Sequence, residues 1–290
     1  MGLTLKNLIS SGENALAWAG VENARLDAET LLCFAAGFER QDIFMDPGRG
    51  IDDACRENYF NLINRRAAGE PLQYITGEQY FFGHRFLVDA RVLIPRPETE
   101  CLVERAVGYL QAREGAKRVL DLCTGSGAIA VSISKACPYL EISASDISEQ
   151  ALAVAEENAQ RLGVTGNIKF IKSDLFNGLG CDPLHDGPRE KYDLIVTNPP
   201  YIRTDELHSL QREIRGHEPL SALDGGADGL AFYRRIAAEA RAWLCAGGCL
   251  MAEIGYDQAR DASVIFKTAG FQTVEIFQDL AGYDRILTAL

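Results

Sequence analysis

The sequence is short of several features that would each point to a particular class of protein. No apolar run in the 290 residues is long enough to cross a bilayer, so we expect no membrane-spanning helix. The first residues lack a basic stretch followed by a long apolar one, which argues against a signal peptide and for a cytoplasmic protein. Internal repeats and low-complexity segments are also missing.

Metal-binding patterns are equally scarce. The chain contains only four histidines, and none of its eight cysteines forms a Cys-x-x-Cys pair. Cys245 and Cys249 are close in sequence, but no histidine lies near them, so we expect no metal site. Most cysteines lie in apolar stretches, where a reduced thiol packs as a small hydrophobic group.

Positive charge is the third shortage. Lys and Arg total 29 against 41 Asp and Glu, which gives a formal net charge of −12. Affinity for duplex nucleic acid comes mainly from Lys and Arg that displace counterions, so direct nucleic-acid binding is not expected. The total can conceal a local basic patch, so charge alone does not exclude it.

The chain divides into three parts by its sequence pattern. Residues 1–75 carry apolar positions at helical spacing and predict a small helical domain that shapes a surface or docks a partner, with helices over 5–18, 27–36 and 52–69. Residues 76–94 contain two β-prone runs about Gly83 and predict a linking β-hairpin.

Residues 95–290 alternate between short apolar strands and amphipathic helices. This alternation predicts an α/β fold with a doubly wound, mostly parallel, Rossmann-like sheet. A short loop joins the last two strands, which is too short for a right-handed crossover, so the last strand is expected to run antiparallel. Seven strands are predicted, over 118–122, 142–145, 168–171, 192–197, 249–254, 273–277 and 285–290.

A glycine-containing loop follows the first of these strands. Gly125 and Gly127 let the backbone turn sharply and approach a ligand before a helix begins. Asp146 ends the next strand, where an acid can accept hydrogen bonds from ribose hydroxyls, although it could also cap the helix that follows. Asp174 follows the third strand and can reach an adenine amino group. Because ligands bind at the carboxyl ends of parallel strands, these residues predict a nucleotide site.

This loop alone does not identify the cofactor. The spacing Gly125-x-Gly127-x-x-Ala130 also fits the fingerprint of nicotinamide dinucleotides. From these residues, a dehydrogenase and a methyltransferase are close competitors.

The fourth strand ends in Asn198-Pro199-Pro200-Tyr201, and this motif favours the methyltransferase. The two prolines have a fixed φ, so the segment is stiff and can aim its acceptors with little loss of entropy. The side-chain oxygen of Asn198 and the carbonyl of Pro199 can hold the two hydrogens of a planar NH₂ group, and Tyr201 can stack on that group. Such an arrangement needs no His or Cys nucleophile.

Three segments carry a wider resemblance: residues 94–100 (IPRPETE), 121–127 (DLCTGSG) and 198–202 (NPPYI). Further matching segments are 71–77 (PLQYITG), 218–223 (EPLSAL), 253–255 (EIG) and 284–285 (DR). Together they resemble the HemK/PrmC family of protein-(glutamine-N5) methyltransferases, which act on peptide chain release factors. The resemblance covers nearly the whole chain. Asn-Pro-Pro-Tyr alone is shared with enzymes that methylate nucleobase amines.

The resemblance implies a class I methyltransferase fold, S-adenosyl-L-methionine as cofactor with S-adenosyl-L-homocysteine as product, and the glutamine of a release factor's Gly-Gly-Gln loop as substrate. It implies that the helical domain helps to grip that protein. The catalytic residues expected are Asn198, Pro199 and Tyr201, and those expected to bind substrate are Asn198, Pro199, Pro200, Tyr201 and Arg96. The expected cofactor-binding residues are Asp121, Thr124, Gly125, Gly127, Asp146, Ile147, Asp174, Leu175, Asn198 and Glu98.

Two points qualify the resemblance. Cys123 stands where many relatives carry glycine. Because cysteine is small, we expect a modest effect, and the backbone there cannot need a glycine-only conformation. Arg96, Pro97 and Glu98 either form a linker with solvated charges or cover the methionyl end of the cofactor. Two other functions stay open: an adenine-N6 methyltransferase on DNA or RNA, and a nicotinamide oxidoreductase or inactive cofactor-binding module.

Overall fold

The computed structural model describes residues 4–180 and 190–290. These residues form two compact units, of which the first comprises Met1–Gly77 with Gln211–His217 and the second Glu78–Leu210 with Glu218–Leu290. Cys181 lies outside the described residues, and the other seven cysteines are free thiols. None of the described helices combines the length and the apolar character that crossing a membrane requires.

The described helices are α1 Leu5–Trp18, α2 Ala24–Ala36, α3 Arg40–Met45, α4 Asp53–Ala67, α5 Leu72–Thr76, α6 Pro97–Ala112, α7 Ala128–Ala136, α8 Glu149–Arg161, α9 Arg212–His217, α10 Ala231–Trp243 and α11 Ala259–Thr268. The described strands are β1 Glu78–Phe81, β2 His84–Leu87, β3 Arg118–Leu122, β4 Glu141–Asp146, β5 Ile168–Lys172, β6 Tyr192–Thr197, β7 Leu244–Glu253, β8 Val274–Gln278 and β9 Asp284–Ala289.

The first unit is helical, and the three helices predicted there are confirmed as α1, α2 and α4. The Thr4 hydroxyl caps α1 by accepting a hydrogen bond from the Asn7 N–H. Apolar side chains of α1, α2 and α4 form one core, in which Tyr59 is fully buried. Arg66 on α4 pairs with Asp27 on α2 at 2.7 Å and with Glu213 on α9. This ion-pair network attaches the distant segment α9 to the first unit, which the sequence did not predict; the domain limits at residues 75 and 94 stay a prediction.

The second unit is built on one seven-stranded sheet in the order β5-β4-β3-β6-β7-β9-β8. The strands from β5 to β7 run parallel, and β9 pairs antiparallel with both β7 and β8, as predicted for the last strand. Two apolar clusters cover its two faces. The chain adds β4 and β5 on one side of β3 and then β6 and β7 on the other. The loops after the parallel strands β3, β4 and β6 therefore meet at one edge of the sheet, where open α/β sheets bind ligands.

The predicted hairpin is confirmed as β1 and β2, which pair antiparallel about Phe82 and Gly83. Both turn residues have positive φ, 48° and 74°, and Gly83 adopts this conformation without the strain that a Cβ brings. The hairpin is held to the same unit through Asn158 on α8, whose side-chain oxygen accepts from the Leu87 N–H at 2.7 Å.

Helix α6 was not predicted, although its signals are in the sequence. Pro97 occupies the first turn, Glu98 and Glu100 supply the acidic residues that favour a helix N-terminus, and Leu102 and Ala106 are buried at helical spacing. Residues 96–98 were instead expected to be either a linker with solvated charges or a cover over the methionyl end of the cofactor. This helix matters because its first turn delivers Thr99 to the site described next.

Candidate active site

A cavity of about 460 Å³ opens at the carboxyl ends of β3, β4, β5 and β6. Its volume falls within the roughly 300–1,000 Å³ common for small-molecule sites. Nine of the residues predicted to bind cofactor or substrate line it: Arg96, Thr124, Gly125, Asp146, Ile147, Asp174, Leu175, Asn198 and Pro200.

The glycine loop after β3 is an ordered turn. Cys123, Gly125 and Gly127 have φ of 60°, 56° and 79°, in the left-handed region. A Cβ at Gly127 would lie 3.0 Å from the Cβ of Ala155, whereas a Cβ at Gly125 would meet no described atom within 4 Å. Gly127 therefore serves close helix packing, and Gly125 leaves its backbone open toward the cavity.

The conformation of Cys123 modifies one expectation. The position uses the left-handed backbone region that favours glycine, so cysteine adopts it at a steric cost of about 1–2 kcal/mol. Cysteine is tolerated because that region is disfavoured rather than forbidden. Burial raises the pKa of the thiol, so Cys123 is a neutral lining group and not a nucleophile.

Asp121 lies beneath the loop and is fully buried. Its Oδ2 accepts from the Thr124 hydroxyl at 2.6 Å and from the Ala130 N–H at 3.1 Å, while Oδ1 has no hydrogen-bond partner among the described residues. Burial raises the pKa of this carboxyl to about 7. Asp121 does not line the cavity and supports the loop from beneath, so its predicted part in cofactor binding stays a prediction.

Asp146 joins the end of β4 to two loops. Its Oδ2 accepts from the Gly125 N–H at 3.0 Å, and its Oδ1 accepts from the Ser148 N–H at 2.9 Å. Ser148 caps α8 by accepting from Ala151, so the helix does not depend on Asp146 as its N-cap. Burial raises the pKa of Asp146, and the backbone hydrogen bonds partly offset this effect. Each oxygen keeps a lone pair for a further donor in the cavity.

Helix α10 contributes two residues to the cavity, Phe232 and Arg235, that the sequence analysis did not predict. Asp174 lines the cavity and pairs with Arg235 on α10 at 2.8 Å, and Phe232 from the same helix also lines it. Leu175, with φ of 53°, is buried beside them. Phe232 and Arg235 lie one helical turn apart, but nothing in the sequence marks α10 as facing a ligand.

Asn198 reaches the cavity from the end of β6. Its side-chain Nδ2 donates to the Thr99 Oγ1 at 3.2 Å, and the Thr99 hydroxyl donates to Glu253 Oε2 at 2.6 Å. The Tyr201 hydroxyl donates to Glu253 Oε1 at 3.2 Å. The amide nitrogen of Asn198 is thus engaged by the protein, which leaves its oxygen as the group able to accept from a ligand.

Comparisons with known proteins identify the family. The family described as PrmC N-terminal domain matches residues 7–77, and the family described as methyltransferase small domain matches residues 100–214. The release factor glutamine methyltransferase of Geobacter sulfurreducens is 41% identical over 98% of this chain and 95% of its own length. That of Bordetella pertussis is 44% identical over 90% and 93%. The chain belongs to the release factor glutamine methyltransferase family.

Among solved structures, the hMettl16 catalytic domain in complex with the MAT2A 3′UTR hairpin 6 matches with a TM-score of 0.54. It is 16% identical and covers 79% of this chain and 81% of its own, so the likeness shows the fold alone. Family membership confirms the prediction of a methyltransferase and leaves the nicotinamide oxidoreductase without support.

Besides Asp121, four residues that were predicted to belong to the site do not line the cavity: Glu98, Gly127, Pro199 and Tyr201. Glu98 is exposed, because residues 98 and 99 point about 100° apart on α6 and Thr99 takes the inward position. Tyr201 is partly buried with its hydroxyl on Glu253, and burial raises its pKa, so it is a neutral donor. The stacking predicted for Tyr201 and the acceptor role of the Pro199 carbonyl stay predictions.

Arg96 precedes α6 and lines the cavity. One of its guanidinium nitrogens donates to Glu218 Oε1 at 2.5 Å, and Glu218 Oε2 accepts from the Ile94 N–H at 3.3 Å. The carboxyl of Glu218 therefore holds both the backbone and the charge of this stretch at the cavity wall. This arrangement favours the interpretation of Arg96 as a site residue over that of a solvated linker.

Thr99 and Glu253 belong to the motifs that resemble the family, yet no role followed from their sequence. Both are buried, with exposed fractions of 4% and 1%. A threonine in a helix and an acid at a strand end are common, and only the fold brings them to Asn198. An acid inside the predicted apolar strand 249–254 was the one available signal, since unpaired acids are rarely buried.

Proposed function

We propose that this protein transfers a methyl group from S-adenosyl-L-methionine to the side-chain nitrogen of the glutamine in the Gly-Gly-Gln loop of peptide chain release factors. The observation that carries the proposal is the amide of Asn198. It lies at the cavity with its nitrogen held by Thr99, so its oxygen is free to accept from an incoming NH₂ group. The relatives named for this activity match almost end to end.

The residues around the cavity fit the cofactor. Asp146 offers carboxylate lone pairs suited to two ribose hydroxyls, and Asp174 offers an acceptor suited to the adenine amino group. The open backbone at Gly125 suits close approach of the methionyl part. When bound, S-adenosyl-L-methionine supplies a methyl group on a positively charged sulfur.

The protein's part in the reaction is to orient and polarise a weak nucleophile. The lone pair of a glutamine nitrogen is delocalised into its carbonyl, and donating its two hydrogens to acceptors returns electron density to the nitrogen. We assign those acceptors to the Asn198 side-chain oxygen and the Pro199 carbonyl. As the new C–N bond forms and the C–S bond breaks, positive charge develops on nitrogen beside these oxygens. The nitrogen then releases a proton, and the products are N5-methylglutamine and S-adenosyl-L-homocysteine.

No general base is required before methyl transfer, because the proton is acidic only after the bond has formed. This agrees with the protonated state of the nearby groups. Burial raises the pKa of both the Cys123 thiol and the Tyr201 hydroxyl, so neither is a base near neutral pH.

Mass spectrometry of a release factor after incubation with the protein and isotope-labelled S-adenosyl-L-methionine tests the proposal. The expected result is one added methyl group on the Gly-Gly-Gln glutamine, and none on a release factor in which that glutamine is alanine. Label on adenine of DNA or RNA, with an unmodified release factor, would overturn it in favour of a nucleobase methyltransferase.

A further inference from the structure

A chain of hydrogen bonds leads from Asn198 into the protein and ends on a buried carboxylate. Thr99 comes from the first turn of α6, Glu253 from the end of β7 and Asn198 from the end of β6. The amide donates to the Thr99 oxygen, and the Thr99 hydroxyl donates to Glu253. Three separate elements therefore meet at one side-chain amide.

The direction of this chain decides which end of the amide faces the cavity. A side-chain amide can place either its oxygen or its NH₂ toward a neighbour. A threonine hydroxyl has one hydrogen. Burial raises the pKa of Glu253, but each of its two carboxyl oxygens lies on a hydroxyl, Tyr201 at Oε1 and Thr99 at Oε2, so we assign the Thr99 hydrogen to Glu253, with 2.6 Å between the oxygens. The Thr99 oxygen can then only accept, so the group of Asn198 that faces it must be the NH₂.

The Glu253 carboxylate is itself fixed in orientation. The Tyr201 hydroxyl donates to its other oxygen, Oε1, at 3.2 Å. Tyr201 belongs to the same Asn-Pro-Pro-Tyr segment as Asn198. The carboxylate thus links two residues of the motif through two hydroxyl donors.

We propose that Thr99 and Glu253 are positioning residues that set the orientation of the Asn198 amide, so that its oxygen and not its NH₂ meets the substrate nitrogen. This inference rests on the proposed function, since it assigns the acceptor role to Asn198. An amide turned the other way would oppose two NH₂ groups, which cannot bond to each other as donors. The pair therefore acts on turnover through Asn198.

The test compares Thr99→Val with Thr99→Ser in the full-length protein, with a release factor as methyl acceptor. Valine is nearly isosteric but has no acceptor, so we expect kcat to fall about 10- to 100-fold. Because valine keeps the size of the Thr99 side chain in the cavity wall, the affinity for S-adenosyl-L-homocysteine should stay within about twofold. Serine retains the hydroxyl and should restore kcat to within about threefold of the wild type.

A matched control comes from β9. Thr288 is also buried, and its hydroxyl has no hydrogen-bond partner among the described residues. Thr288→Val is the same chemical change away from the site and should leave kcat unchanged. If Thr99→Val does not give folded protein by circular dichroism, Thr99→Ala makes the same deletion without the extra methyl group.

The combination of Thr99→Val with Asn198→Ala separates positioning from a general structural effect. If Thr99 acts only through Asn198, its substitution should lower the residual turnover of Asn198→Ala by no more than about twofold. The inference would be overturned if the kcat loss of the double variant equalled the product of the losses of the two single variants. Wild-type turnover in Thr99→Val would also overturn it. If the wild-type protein leaves the release factor unmodified, the proposed function itself is wrong. Failure of the proposed function is thus distinguishable from failure of the positioning role.

Discussion

The backbone N–H of Gly125 donates a hydrogen bond to Asp146 Oδ2 at 3.0 Å. This bond joins the glycine loop after β3 to the end of the neighbouring parallel strand β4. A second bond, from the Thr124 N–H to the Ser145 carbonyl at 2.9 Å, reinforces the junction. The glycine loop and Asp146 therefore hold each other in place, and a substitution in either should change the shape of the cavity.

Asp146→Ala should weaken the binding of S-adenosyl-L-homocysteine. Removing the carboxylate deletes charged hydrogen bonds worth about 1.5–3 kcal/mol each, both to the ligand and to the glycine loop. Asp146→Asn keeps one oxygen acceptor and should lose less. Calorimetric titration measures both effects, and wild-type affinity in the alanine variant would show that the acid serves only local loop structure.

Asn198→Ala should reduce turnover without weakening the cofactor. We expect kcat to fall by about 10²–10³, which is typical when a group that stabilises developing charge is removed. Affinity for S-adenosyl-L-homocysteine should change little, because the assigned contact is to the substrate nitrogen. Single-turnover methylation and calorimetry provide the two measurements, and unchanged turnover would contradict the role assigned to this amide.

Gly125→Ala and Gly127→Ala make the same change two residues apart and should act differently. Both positions have positive φ, so each substitution carries a backbone cost of about 1–2 kcal/mol. At Gly127 the new methyl group also meets Ala155 at 3.0 Å, so the loss of unfolding free energy should be the larger. At Gly125 the methyl group enters the cavity lining and should chiefly weaken cofactor binding. Urea denaturation and calorimetry separate the two effects, and equal behaviour of the variants would contradict the assignment.

Asp121→Asn should change how stability depends on pH. Burial raises the pKa of Asp121 from 3.8 to about 7, so the folded protein binds a proton that the unfolded chain releases between these values. The stabilisation is fully present below the lower value and is lost as the pH rises through 7. Asparagine does not ionise, so the variant should gain stability relative to the wild type with rising pH, by at most about 4 kcal/mol.

Urea denaturation of Asp121→Asn at several pH values between 4.5 and 8 measures this gain. Glu114→Gln, at an exposed position, is a control that should follow the wild-type curve. If the free energies of unfolding of Asp121→Asn and the wild type changed with pH in parallel, the Asp121 carboxyl would titrate as it does in the unfolded chain.

Much of the fold could be read from local pattern. Residues 118–122 and 192–197 are short apolar runs that follow turn residues, and both are strands because such runs must be buried on two faces of a parallel sheet. The antiparallel last strand followed from loop length alone. Helix α6 was missed because residues 96–98 were interpreted through their charges, while its apolar stripe lies further along.

The sequence by itself determined the glycine turn, the acids at strand ends and the stiff Asn-Pro-Pro-Tyr segment, because each depends on neighbours in the chain. Only the tertiary structure decided that Thr99 and not Glu98 faces inward, and that Glu253 receives both hydroxyl donors. Hydrogen bonds between residues 99, 198 and 253 join elements far apart in sequence. Their partners depend on the order of strands in the sheet and the rotation of α6, which no local pattern encodes.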